Sequence, residues 1–133
     1  MRRPPGIRVK RAEDPPAADD GIRFLVDRNW PRHLRQEAIS VDGWLRDLAP
    51  SAALWRRFKD RPDRWGEFLT RYFAELDAKR RLWWPLAQAA RKERVTLLYS
   101  TRDPLHNCAV ALRQYLFAKL SSPGFLYRNS AKN

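Results

Sequence analysis

Apolar and polar residues alternate over Ile7-Arg8-Val9-Lys10, the period of a half-exposed strand. Ile22-Arg23-Phe24-Leu25-Val26 is nearly continuous in its apolar character and reads as a strand buried on both faces. Between them, residues 13–21 carry two prolines, four acidic residues and a glycine, the composition of a connecting loop. Asp42 to Leu48 is expected to form a short helix stopped by Ala49-Pro50, and Ser51 to cap another running to about Lys59. A longer helix follows, with Asp63 as its expected cap. Trp65, Phe68, Leu69, Tyr72, Phe73 and Leu76 recur at i, i+3, i+4, i+7, i+8 and i+11, which is one buried stripe. Helical spacing makes this aromatic row core rather than a stacking surface for bases. Glu67, Arg71 and Glu75 form an i+4 ladder on another face. Pro85 is expected to kink or split the helix near Trp83-Trp84, of which only one ring can point into the core. Val95-Thr96-Leu97-Leu98-Tyr99 is the clearest strand. Asp103-Pro104 reads as the start of a last helix, Asp as cap and Pro in the first turn, burying Leu105, Cys108, Ala109, Leu112, Leu116 and Leu120.

Strands separated by helical crossovers pair in parallel. The expected fold is therefore a small single α/β domain over residues 7–120, with about three mostly parallel strands and helices packed against the sheet. A flexible basic N-terminus (1–6) and a tail (121–133) flank it.

Composition narrows the class. With 133 residues and 44% hydrophobic positions the chain supports one packed domain. No apolar run approaches the ~20 residues of a membrane span. Met1-Arg2-Arg3-Pro4-Pro5 leads into no apolar segment of the kind a secretory signal needs. A single cysteine fits a reducing cytoplasm, and one Cys with two His forms no zinc pattern. No metal or cofactor is implied. The net charge of +12, carried mostly by arginine, favours polyanions such as nucleic acid, and equally suits a solvated surface with no partner.

The chemistry concentrates where strands are expected to end. In open α/β sheets, ligands bind beyond the carboxyl ends of the strands. One cluster offers Asp27, Arg28, Trp30, Arg32 and His33; the other offers Tyr99, Ser100, Thr101, Arg102, Asp103, His106 and Asn107, leading into a helix N-terminus. Arg28 and Arg32 suit a phosphate or carboxylate. Trp30 either stacks on a ligand ring or covers the core edge. His106, Asp27 and Tyr99 are the candidate proton-transfer groups, with Arg28, Trp30, Arg32, Ser100, Arg102 and Asn107 as candidate binding residues. Each has a structural alternative: Asp103 as a plain cap, and Asp27 with Arg28 as an ion pair. If the strands ending at Asp27 and Tyr99 are parallel neighbours, Asp27, Arg28, Arg32, Tyr99 and His106 converge on one pocket. Cys108-x4-Arg113 is one residue short of a phosphatase loop and lies in an apolar stripe. With five glycines in all, a glycine-rich phosphate loop is absent.

Three ordered motifs resemble the YeaO-like family of bacterial proteins. They are Asp20-Gly21-Ile22-Arg23-Phe24-Leu25-Val26-Asp27-Arg28-Asn29-Trp30-Pro31-Arg32; then Ala49-Pro50-Ser51 with Phe58, Trp65, Phe68, Arg71-Tyr72 and Glu75-Leu76; and Val95-Thr96-Leu97-Leu98-Tyr99 with Asp103, His106-Asn107 and Ala109. The family usually has Gly at the position of His33 and an apolar residue at that of Asn29. Its Leu-Arg-x-Trp-Phe stretch stands here as Leu54-Trp55-Arg56-Arg57-Phe58. The resemblance implies an α/β fold and no established activity. Two readings follow. One is a protein that binds an anionic small molecule, a nucleotide or phosphate ester, at the strand ends, with catalysis left open. The other is a nucleic-acid-binding or accessory protein acting through its basic surface.

Overall fold

The computed structural model describes residues 6–34 and 39–121. The expectations for the N-terminal segment 1–5 and for the tail beyond Ser121 lie outside the described residues. Four strands form one all-parallel sheet: β1 (Ile7–Arg11), β2 (Ile22–Leu25), β3 (Gly43–Trp44) and β4 (Val95–Tyr99), in the order β1-β4-β2-β3. The helices are α1 (Ala52–Phe58), α2 (Trp65–Asp77), α3 (Arg80–Lys92) and α4 (Cys108–Leu120).

β4 is central and buried along its whole length, as its apolar, β-branched composition requires. Register places Ile7, Val95 and Ile22 in one row and Val9, Leu97 and Phe24 in another. These rows share a face, and that face packs against the helices in the main core with Phe68, Tyr72, Leu76, Trp83, Leu112 and Leu116. The aromatic stripe of α2 is thus core, and Tyr72 anchors it further by donating from its hydroxyl to the Leu48 carbonyl at 2.6 Å. Of the adjacent tryptophans, Trp83 is buried and donates to the Leu76 carbonyl, while Trp84 is partly exposed.

The other face is covered by loops. Arg8, Thr96 and Arg23 align across it, and the β1–β2 connection crosses above them. Its Asp20 is 1% exposed, held by Arg23 Nη1 (2.6 Å), Lys10 Nζ (3.0 Å), Arg8 Nη1 (3.3 Å) and the Ala17 N–H (3.0 Å). Burial alone would raise the Asp20 pKa; the Ala17 N–H, Lys10 and Arg23 outweigh it and hold the carboxyl well below the usual carboxylate range. Gly21 turns the chain here at φ 67, packed against the Arg94 backbone. A smaller cluster of Ala12, Leu25, Ile39 and Leu98, with Trp30, Leu34 and Val41 against it, fills the rest of this face.

Four elements differ from the sequence expectation. The sheet has four strands rather than about three. The fourth falls inside the segment expected to be helical, where Gly43 and Trp44 pair with Phe24 and Leu25 and only Arg46–Leu48 form a 3-10 turn. Glycine fits there because a Cβ at Gly43 would stand 3.1 Å from the Phe24 ring, and Trp44 is secured by donating to the Asp27 carbonyl at 2.7 Å. Asp63 does not cap α2, since Arg61 engages its carboxylate at 2.9 and 3.1 Å and the N-cap position falls on Arg64, whose side chain makes no cap hydrogen bond among the described residues. The chain breaks at Ala78-Lys79 rather than at Pro85, which sits inside α3 on its exposed side, where water can serve the carbonyl one turn back. Finally, the i+4 ladder stops after Glu67 and Arg71 (3.3 Å), because Glu75 turns to the N–H (2.8 Å) and hydroxyl (2.6 Å) of Ser51. Ser51 caps α1 as expected, accepting from the Leu54 N–H at 3.2 Å.

Candidate functional site

β2 and β4 are parallel neighbours, so their carboxyl ends emerge together. Asp27 follows β2 and Ser100 follows β4, and the two are joined: Asp27 Oδ2 accepts from the Ser100 N–H at 2.9 Å and from its hydroxyl at 2.6 Å. Asp27 is 7% exposed. Its other oxygen, Oδ1, is buried with no hydrogen-bond partner among the described residues, and so is the hydroxyl oxygen of Thr101, the residue after Ser100. Burial pushes the Asp27 carboxyl above its usual range, and the charge of Glu13 adds to this; the hydroxyl and N–H of Ser100 favour the charged form and offset part of the rise.

Both residues line a cavity of about 180 Å³. Arg28, Asn29, Trp30, Pro31, Pro50, Trp55 and, at the start of α4, Cys108 also line it. Arg28 uses Nε to bind the Pro50 carbonyl at 3.1 Å, and no ion pair joins it to Asp27 among the described residues. Its terminal guanidinium nitrogens therefore remain available. Trp30 donates to the Leu34 carbonyl at 3.2 Å and meets Trp44 edge-on, which fixes its ring as a wall. Burial raises the Cys108 thiol well above its usual pKa, and the Asp27 charge reinforces this, so it stays a thiol.

The structure brings Asp27, Arg28, Trp30, Ser100 and Thr101 together on this cavity and puts the other sequence-selected residues elsewhere. Tyr99 is buried in the main core with Arg11 over its ring at 5.4 Å. Arg32 and Arg102 are exposed and line no part of the cavity. His106 donates from Nδ1 to Asp103 Oδ2 at 2.8 Å and stands edge-on against Trp65 at 5.1 Å, outside the cavity. His33 pairs with Glu13 at the surface.

Asp103 is not the cap of the last helix. Its carboxylate closes a turn by accepting the N–H groups of Leu105 (2.8 Å) and His106 (3.2 Å); the Leu105 N–H first, then the His106 ring, hold it below the ordinary carboxylate range. α4 begins one turn later. Asn107, extended at φ −146 and ψ 172, caps it by accepting from the Val110 N–H at 2.9 Å, while its amide donates to the Asp103 carbonyl at 2.9 Å. Asn107 is fully buried and its polar atoms are engaged in this cap. Leu105, expected on the buried face, lies in the preceding turn and is 68% exposed.

Sequence reasoning did not assign Pro50, Trp55 or Cys108 to a site. Pro50 read as a helix stop and Cys108 as one position in an apolar stripe; neither carries a polar signal. Among the described residues no group of His, Cys, Asp and Glu could hold a metal ion, and no helix is long and apolar enough to cross a membrane.

Fold and cavity together define a small parallel α/β protein with a buried carboxylate at the carboxyl edge of its sheet. Comparison with known proteins identifies the lineage: the chain belongs to the family described as the inactive DUF488-N3 subclade, whose model matches residues 6–130. It is 36% identical to the uncharacterized protein YeaO of Escherichia coli (strain K12) over 110 residues, 83% of this chain and 96% of that protein. It is 35% identical to uncharacterized proteins of Mycobacterium tuberculosis (strain H37Rv) and Mycobacterium bovis over 116 residues, 87% of this chain and 98% of each. The resemblance to the YeaO-like family is thus shown. No solved structure matches the chain.

Proposed function

We propose that the protein binds a small phosphate ester in the Asp27 cavity and acts as a binding module rather than a catalyst. The observation that carries this reading is the pair of buried, unpartnered oxygens, Asp27 Oδ1 and the Thr101 hydroxyl, on one cavity. Each such group leaves about 1–3 kcal/mol of desolvation uncompensated. A ligand carrying hydroxyl or N–H donors relieves that cost, because a carboxylate oxygen only accepts. Arg28 on the same cavity supplies a guanidinium for a phosphate. At about 180 Å³ the cavity falls below the ~300 Å³ where drug-sized sites begin, so a sugar phosphate fits better than a whole nucleotide, which would enter by one end.

Two observations favour binding over catalysis. The groups suited to proton transfer do not meet on the cavity: His106 and Tyr99 lie elsewhere, and the Cys108 thiol is held protonated. The family description also carries the word inactive.

Thermal melts with ribose 5-phosphate, ribose and inorganic phosphate test the reading. A ligand at about 100 times its Kd stabilises the folded state by about 2.7 kcal/mol. Ribose 5-phosphate is expected to raise the melting temperature of the wild type by more than either half, and to lose most of that effect on Arg28→Gln and on Thr101→Val. An equal rise in all three proteins, or no rise in any, overturns the proposal.

A further inference from the structure

The amino edge of the sheet carries a second, larger concavity of about 1090 Å³, open to solvent. Its walls bring together Arg8 of β1, Arg91 and Lys92 at the end of α3, Arg94 just before β4, and Arg113 of α4, against two acids, Asp19 and Glu93. Arg8 is engaged by Asp19 and Asp20. Arg113 gives its Nε to the Ile7 carbonyl at 2.9 Å and lies over the Phe117 ring at 5.1 Å. Arg91, Lys92 and Arg94 are exposed, and their side chains have no ion pair or hydrogen bond among the described residues. A helix dipole explains cations in the last turn of α3. It does not explain Arg94, which lies beyond that helix, or Arg113, which comes to the same cleft from another.

We infer that this cleft is a binding site for single-stranded nucleic acid. Charge alone would suit any polyanion. The lining adds apolar surface from Val9, Val110 and the partly exposed Phe117 to the cationic residues. Cationic walls that track phosphates, with an aromatic ring on which a base can stack, are the elements of a single-strand site. An acidic peptide would use the cations and leave the Phe117 ring without a planar partner. The inference is independent of the Asp27 cavity, which lies at the opposite edge of the sheet.

Fluorescence anisotropy with a labelled oligothymidylate of about 12 nucleotides tests it. Replacing Arg91, Lys92 and Arg94 together by Gln is expected to weaken binding at least about tenfold at low salt and to reduce the slope of log K against log salt by about 2, near 0.7 for each phosphate no longer neutralised. A control triple variant, Arg46→Gln, Arg56→Gln and Lys59→Gln, removes the same charge from residues that line neither concavity and is expected to change affinity less than about threefold; melting curves verify that each variant folds. Phe117→Leu is expected to weaken the oligonucleotide and leave polyphosphate binding unchanged. Equal losses in the two triple variants would reduce the effect to net charge and overturn the inference. Oligoglutamate competing as well as the oligonucleotide would overturn it in favour of an acidic peptide.

Discussion

Replacing Asp20 by Asn keeps the shape of the side chain and removes its charge, and the structure sets a large cost for that change. Arg23 is 4% exposed at its side chain, with Nη1 on Asp20 Oδ2 at 2.6 Å, Nε on the Ser40 carbonyl at 2.7 Å and Nη2 on the Asp14 carbonyl at 3.0 Å. Two further cations, Lys10 and Arg8, point at the same carboxylate. Asp20→Asn would leave three cations around a neutral amide, one of them almost completely desolvated. Breaking a buried pair by removing one partner costs about 3–5 kcal/mol, a large part of the ~5–15 kcal/mol that holds a domain folded. Urea unfolding at neutral pH measures the loss directly. Removing the buried charge as well, in Asp20→Asn with Arg23→Met, should recover about 2 kcal/mol relative to the sum of the single variants. The acid limb gives a second check. The folded-state pKa of Asp20 is depressed, so its contribution is fully present above the unfolded value of about 4 and lost as pH falls below it. The wild type should therefore lose more stability than Asp20→Asn between about pH 5 and about pH 3. A loss below about 1 kcal/mol at neutral pH, or parallel acid limbs, would refute the reasoning that this carboxylate holds the loop face of the sheet.

Gly66 lies exposed in α2 with no atom within 4 Å of an added Cβ, so Gly66→Ala should stabilise the protein by about 0.5–1 kcal/mol in the same urea assay. Gly21→Ala should do the reverse, by at least about 2 kcal/mol, because φ is 67 and the new methyl would sit 2.0 Å from the Arg94 carbonyl oxygen. Asn107→Ala removes the buried cap of α4 and is expected to cost about 1–2 kcal/mol, read from the urea midpoint.

The parts of this fold that were legible are those with strong periodicity and burial. β4 and the stripe of α2 could be read because their apolar spacing has one structural solution each. β3 could not, since two residues centred on a glycine carry no period and their pairing with Phe24 and Leu25 is long-range. Asp103-Pro104 has the chemistry of a helix start, yet it closes a separate turn, and the cap falls four residues later at Asn107; local residue preference does not say which of two polar residues the tertiary packing selects. The Asp20–Arg23 pair was hidden for a related reason, as an acid in a proline-rich loop looks solvated until the strand that buries it is known. For the site, the emergence of the ends of β2 and β4 on one edge of the sheet followed from parallel pairing alone. The fate of Tyr99 did not, because it depends on which way the side chain leaves the strand, nor did that of His106, which depends on the turn that Asp103 closes. Pro50, Trp55 and Cys108 reach the cavity from a turn and two helices whose own patterns are explained by packing.

The most direct test of the account is a crystal structure of the protein grown with ribose 5-phosphate at saturating concentration. The expected result is a ligand hydroxyl within about 3 Å of Asp27 Oδ1, with a second polar contact to the Thr101 hydroxyl and the phosphate against the terminal nitrogens of Arg28. Ordered water alone satisfying both oxygens, with the ligand bound elsewhere or not at all, would contradict the claim and leave Asp27 as a buried structural carboxylate fastening β2 to β4.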